Sequence, residues 1–205
     1  EEAIKYAKEV IEKRIGGYNR VLIEEKVVGE EFTIQAFCDG KTIYPMPAVQ
    51  DHKRLLPGDK GPNTGGMGSY SHKSGLLPFL TADEYEEACA ILQKIVEALK
   101  REKRIYKGVI YGQFMLTPNG VKVIEINARF GDPEAMNVLP LLKTDFVEIC
   151  IAMVEGNLSN KKISFNKKST VCKYVVPEGY GIKPIAGKEI KVNEDEIEKE
   201  GGLLF

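Results

Sequence analysis

Two runs of alternating character, Val109 to Thr117 and Val121 to Asn127, flank Pro118-Asn119-Gly120 and constrain this chain more than any other feature. Pro and Gly at the reversal favour a tight turn, so the runs read as antiparallel neighbours. With a three-residue loop and Gly120 left-handed, Thr117 pairs with Val121 and Gln113 falls opposite Glu125. Period two puts Glu125 and Asn127 on one face, where they converge with Gln113. One carboxylate and two amide carbonyls are hard oxygen donors, suited to Mg²⁺ completed by waters and phosphates rather than to zinc or copper. Two readings of that face compete. A half-exposed strand would leave it wet. Val121 and Val123 share its parity, however, and predict an inward face, where a carboxylate needs a cation or several donors to stay ionised. Arg129, just past the strand, has the fork that takes phosphate bidentately.

Upstream, Ile4, Ala7, Lys8, Ile11 and Ile15 recur at helical spacing before Gly16-Gly17, predicting an amphipathic helix over residues 1–15. Val21-Leu22-Ile23 predicts a short strand after it. Phe32, Ile34, Ala36 and Cys38 alternate up to Asp39-Gly40, a hairpin turn leading into a second strand over residues 41–49. Residues 51–75 hold Gly58, Gly61, Gly65, Gly66, Gly68 and Gly75 with Pro57 and Pro62, and read as a long irregular loop. Its glycines let backbone N–H groups approach an anion while Lys53, Arg54 and Lys60 supply charge. Taken alone, a solvated flexible loop explains it as well. It matches neither the P-loop nor the Rossmann fingerprint. Thr81 to Glu84 has the capping-box form, and apolar residues from Tyr85 to Leu99 continue at three-four spacing to a basic end. Phe146, Ile149, Cys150 and Met153 mark a further helix stopped by Gly156. The fold class is α+β with mainly antiparallel strands and no internal repeat.

Charge and cysteine usage narrow the function classes. Lys+Arg 29 against Asp+Glu 30 gives a net charge of -1, so no overall field holds the chain on nucleic acid or an anionic membrane. The pairs Lys161-Lys162 and Lys167-Lys168 lack the interleaved aromatics of a nucleic-acid surface. No apolar run approaches the roughly 20 residues of a membrane span, and no secretion signal is seen, so a cytoplasmic protein is expected. Cys38, Cys89, Cys150 and Cys172 form no C-x-x-C pair, and His52 and His72 no zinc motif. The absence of Met before Glu1 and the stop at Phe205 suggest a fragment.

Two segments in the right order carry a resemblance: Arg129-Phe130-Gly131-Asp132-Pro133-Glu134-Ala135-Met136, and Gln50-Asp51-His52-Lys53-Arg54 with Gly61-Pro62-Asn63-Thr64-Gly65-Gly66-Met67-Gly68. Together they resemble the ATP-grasp superfamily, and within it the glycinamide ribonucleotide synthetase (phosphoribosylamine-glycine ligase) family. The resemblance covers residues 1–165 well and the rest loosely. It implies an ATP-grasp fold portion over residues 1–165, incomplete on its amino-terminal side, with a largely antiparallel sheet flanked by helices. Residues 166–205 would begin a small β-rich carboxy-terminal domain.

By the same resemblance, Glu24 and the backbone of Glu25, Lys26 and Val27 read adenine, and Glu31 accepts from the ribose hydroxyls. A strand leaving the sheet at Glu25 would free backbone groups for that task. Gln113, Glu125 and Asn127 would hold Mg²⁺ or Mn²⁺, although many ATP-grasp proteins have an acid where Gln113 stands. Arg129 and Lys53 are the implied catalytic cations. Asp51, His52, Arg54, Asn63, Thr64, Gly65, Gly66, Asp132 and Glu134 are the implied substrate-binding residues. Asp132 also suits a helix cap, with Pro133 in the first turn. The implied reaction joins glycine to 5-phosphoribosylamine with ATP, through glycyl phosphate, in purine biosynthesis. The missing amino-terminal part would leave this chain with half an active site and no turnover alone. Another ATP-grasp ligase or carboxylase, or a nucleotide-binding module without catalysis, are the alternatives.

Overall fold

A computed structural model describes the backbone of residues 1–205 and every side chain but that of Glu2. Its centre is β1, Glu30–Cys38, whose Phe32, Ile34, Ala36 and Cys38 bury on one face while Thr33, Gln35 and Phe37 bury on the other. A strand buried on both sides must be internal, and β1 is. The remaining strands are β2 (Ile43–Pro45), β3 (Val49–Leu56), β4 (Lys60–Ser71), β5 (Gly108–Thr117), β6 (Gly120–Asn127) and β7 (Thr170–Lys173). They form one sheet in the order β6-β5-β1-β3-β4-β7, with β2 paired to β1 and every pair antiparallel.

Each face of the sheet carries a helical layer. Helix α2, Ala82–Arg101, packs Ala88, Leu92 and Val96 onto the Phe32–Phe114 side, and its capping box forms as expected: Glu84 N–H donates to the Thr81 hydroxyl and Thr81 N–H to the Glu84 carboxylate. Helices α3, Glu134–Val138, and α4, Phe146–Glu155, cover the other side with Val138, Ile149 and Ala152 against Phe37 and Val49. Gly156 ends α4 in the left-handed conformation. Helix α1, Glu2–Glu12, forms, but Ile4 and Ile11 on its apolar stripe are exposed. A last short helix, α5, spans Glu194–Lys199. Among the described residues, no helix is long and apolar enough to cross a membrane.

Four expectations need correction. Residues 51–75 are mostly not a loop: β3 and β4 form a hairpin reversing at residues 57–59. Glycines carry no side-chain period, so a backbone-driven ladder was invisible in the pattern. Gly68 is where this matters most, since a Cβ there would sit 2.5 Å from Cys172 O and keep β7 off the edge of β4. Residues 21–23 form no strand; Leu22 and Ile23 are 78% and 81% exposed, and no described strand lies beside them to complete a ladder. Residues 41–49 are not one strand, since β2 is three residues long and β3 starts at Val49. In the β5–β6 hairpin, Thr117 pairs with Gly120 rather than with Val121. An irregularity between Phe114 and Gln113 leaves Ile124 extra, and beyond it Gln113 does lie opposite Glu125.

The turn after β1 ties the sheet to the α4 side. Buried Asp39 accepts from the N–H groups of Lys41 (2.9 Å) and Thr42 (2.8 Å) and, across the fold, Leu158 (3.0 Å). Burial works against its carboxylate, but those three N–H groups and the Lys41 charge outweigh it and hold Asp39 below the ordinary range. A carboxylate so depressed contributes stability above its unfolded value, near 3.9, and loses it as pH falls through the folded value. Asp39→Ala is expected to cost about 3 kcal/mol at neutral pH, because three donors lose a charged acceptor. Urea unfolding at pH 7 and pH 3 checks it, the cost shrinking at the lower pH.

Candidate active site

Strand parity builds the site. Residues Glu31, Thr33 and Gln35 of β1, Asp51 and Lys53 of β3, Tyr111 and Gln113 of β5, and Glu125 and Asn127 of β6 all share the sheet face opposite α2. Lys53 Nζ donates to Gln113 Oε1 at 2.9 Å, and Gln113 Nε2 donates to Glu31 Oε2 at 2.9 Å. The buried amide of Gln113 thus joins a lysine to a glutamate, with both its ends engaged. Lys53 Nζ also lies 3.6 Å from Asp51 Oδ2. The other Asp51 oxygen, Oδ1, is buried without a hydrogen-bond partner among the described residues. An unpaired buried acceptor costs about 1–3 kcal/mol, more when charged, which marks this oxygen as waiting for a donor.

Glu125 and Asn127 lie at the edge of this face, the Asn127 amide donating to Glu125 Oε1 at 2.9 Å. The inward face expected from Val121 and Val123 is a misreading. The extra residue at Ile124 reverses parity, so Val121 and Val123 side with α2 while Glu125 and Asn127 side with Gln113 and Tyr111. Glu125 is exposed and Val123 is 44% exposed, as befits an edge strand.

The segment after β6 folds back over the sheet. Gly131 N–H donates to Gln35 Oε1 at 2.8 Å, and the Tyr111 hydroxyl donates to Glu134 Oε1 at 2.8 Å. Arg129 passes over the Tyr111 ring, its guanidinium carbon 6.0 Å from the centroid. Burial first, then the neighbouring Glu134 and Asp51 carboxylates, pushes the Tyr111 hydroxyl far above its usual range. Burial and then Asp51 raise Glu134, against the pull of its Tyr111 hydrogen bond and of Lys53. Asp132 does not cap α3: the cap position is Pro133, without a side-chain bond, because the Asp132 carboxylate accepts from the Tyr174 hydroxyl instead.

The hairpin contributes unevenly. Thr64 Oγ1 donates to Lys53 O at 2.8 Å, Gly66 N–H donates to Thr64 Oγ1 at 3.2 Å, and the Tyr180 hydroxyl donates to Gly66 O at 3.1 Å. Thr64 and Gly66 are therefore gathered beside Lys53. Parity sends His52 to the opposite face of β3, where it stacks on Tyr70 with ring centroids 6.1 Å apart. Arg54 is exposed and donates to Gly61 O at 2.8 Å, and Asn63 and Gly65 are exposed on the arm of β4. Glu24, Glu25 and Lys26 are exposed in an irregular segment and Val27 is half-buried; the structure does not bring these four into the cluster. Sequence reasoning missed Gln35 and Tyr111, although a lone glutamine and tyrosine inside apolar strands are a readable signal.

Solved structures share this fold. The biotin carboxylase domain of Hydrogenobacter thermophilus 2-oxoglutarate carboxylase, in complex with MgADP, matches 92% of this chain and 45% of its own at a TM-score of 0.57 and 17% identity, a likeness of fold alone. Thermotoga maritima phosphoribosylamine-glycine ligase matches 93% of this chain and 47% of its own at a TM-score of 0.79 and 30% identity. The fold is that of an ATP-grasp domain. The sequence model described as phosphoribosylglycinamide synthetase, ATP-grasp (A) domain, matches residues 1–135, and the chain belongs to that family. Phosphoribosylamine-glycine ligases of Methanothermobacter thermautotrophicus and Methanobrevibacter smithii are 61% and 57% identical over the whole chain. The chain spans about half the length of these curated relatives, 46% and 47%.

Proposed function

We propose that this chain is the ATP-grasp part of a cytoplasmic ligase that joins glycine to 5-phosphoribosylamine with ATP, giving glycinamide ribonucleotide, ADP and phosphate in purine biosynthesis. The observation that carries the reading is the Lys53–Gln113–Glu31 chain beside the half-paired Asp51 carboxylate, under the Arg129–Glu134 segment, in a chain of this family. Glycine carboxylate attacks the γ-phosphorus of ATP and ADP leaves, giving glycyl phosphate; the amine then attacks its acyl carbon, phosphate leaves and the nitrogen gives up a proton. Lys53 and Arg129 offset the charge on the transferring phosphoryl group, where positioning and neutralisation supply most of the rate. Asp51 Oδ1 accepts from an amine or ammonium, with Asp132 and Glu134 completing the amine site. Arg54, Asn63, Thr64, Gly65 and Gly66 line the substrate approach, His52 facing away on the other side of β3, and closure of that hairpin protects the acyl phosphate from water. Glu31 accepts from ribose, and Glu24 with the free backbone of Glu25, Lys26 and Val27 reads adenine.

Glu125 and Asn127 fit Mg²⁺ or Mn²⁺. The Asn127 nitrogen faces Glu125, which leaves its carbonyl oxygen for an ion that keeps several waters and needs few protein ligands. When bound, the ion neutralises phosphate charge. Gln113 joins that set once Lys53 turns from its carbonyl to phosphate. The remaining half of a protein of the relatives' length supplies the rest of the site, so the isolated chain is expected to be inactive. Residues 166–205 begin a carboxy-terminal unit, with β7 carrying the chain off the edge of the main sheet. ADP release by a protein carrying this chain at the relatives' full length, with ATP and Mg²⁺, is expected only when glycine and phosphoribosylamine are both present. Release that ignores either substrate overturns the ligase; no release at all favours a nucleotide-binding module.

A further inference from the structure

We propose that Gln35 is a positioning residue of this enzyme, which with Tyr111 latches the Arg129–Glu134 segment in its working place; the inference rests on the ligase reading. Gln35 and Tyr111 are direct cross-strand neighbours on β1 and β5, 1% and 4% exposed. One holds the segment by backbone, through Gly131 N–H, and the other by side chain, through the Glu134 carboxylate. The two points are three residues apart, and Arg129 stands two residues before the first. Gly131 leaves no slack, since a Cβ on it would lie 2.5 Å from Glu134 Oε2 and 2.7 Å from the Tyr111 ring.

The other end of the Gln35 amide shows what it is for. Nε2 is buried without a partner among the described residues, and the amide cannot be turned over, because that would set N–H against the Gly131 N–H. A methionine would fill the same space and exchange one unpaired donor, Nε2, for another, the Gly131 N–H, so the glutamine adds little to core stability. What it adds is one acceptor at one backbone nitrogen. Phe130, edge-on to Phe37 at 6.4 Å, anchors the segment separately, so losing that acceptor should shift the segment rather than release it.

Gln35→Met and Tyr111→Phe, made at the relatives' full length, test this. Expected for Gln35→Met is Gly131 amide exchange at least about ten times faster, with the β1–β5 ladder amides and the denaturation midpoint unchanged. Turnover should fall about 10- to 100-fold with KM for ATP within about two-fold, the signature of displaced catalytic groups. Tyr111→Phe should lower turnover similarly and leave Gly131 exchange slow. Unchanged Gly131 exchange overturns the latch. So does faster exchange with full turnover, or a lowered midpoint with full turnover, which would make Gln35 merely structural. If the wild type lacks glycine-dependent ADP release, the ligase reading falls by itself, and Gly131 exchange alone then decides the latch.

Discussion

Glu125→Ala is expected to lower turnover at least about 100-fold in a protein of the relatives' full length while leaving the fold standing. Glu125 is exposed on an edge strand, and among the described residues its one side-chain hydrogen bond is from Asn127, so the change in stability should stay within about 0.5 kcal/mol. The extra residue at Ile124 carries the carboxylate to the face of Lys53 and Gln113, where the proposed reading puts the phosphates. Glu125→Gln separates charge from shape. It keeps an acceptor for Asn127 but removes the negative charge, so it should lose activity almost as fully and need more Mg²⁺ to reach half its remaining rate. Urea midpoints and ADP-release rates across a Mg²⁺ titration check both variants. Full activity in Glu125→Ala would remove the metal-ligand assignment.

That placement illustrates how far the sequence could be read. Gln113 does face Glu125, but through two errors that cancel: the turn closes one residue tighter than expected, and an unpaired residue restores the register. A bulge has no period of its own, and the apolar Val121 and Val123 pointed to the wrong face. What was legible rested on side chains whose chemistry is local: the Thr81–Glu84 capping box, the α2 stripe and the alternation of Phe32, Ile34, Ala36 and Cys38. The β3–β4 hairpin was not, because glycines and charged residues build most of its ladder by backbone pairing, which leaves no apolar alternation to read. The Val21–Ile23 run failed for the opposite reason: strand-like residues make no strand without a neighbouring edge. Gln35 and Tyr111 stood out chemically, but their partners are 96 and 23 residues away, a distance no local pattern reports.

Lys53→Met is expected to combine the other large effects and to separate them by pH. The lysine loses its bond to Gln113 Oε1 and its approach to Asp51 Oδ2, leaving a buried carboxylate with neither oxygen engaged by a described residue. Removing one partner of a buried pair costs about 3 kcal/mol, here the low end because Lys53 is one-third exposed. Turnover should fall at least about 100-fold, since the phosphoryl group loses a cation. Glu134 gives the pH dependence. Burial and then Asp51 already raise its carboxyl, and Lys53 is among the groups pulling it back, so the variant raises it further. A carboxyl raised in the folded state contributes its stability below the unfolded value, near 4.3, and loses it as pH rises through the folded value. The stability deficit of Lys53→Met should therefore widen as pH rises above the already raised folded value of Glu134 in the wild type. Adding Asp51→Asn removes both the stranded charge and its push on Glu134, so the double variant should regain most of the stability, lose the pH slope and stay inactive. Urea unfolding across pH, beside the ADP assay, reads all three. A deficit independent of pH, or a double variant no more stable than the single one, would show that Lys53 and Asp51 do not act as a pair.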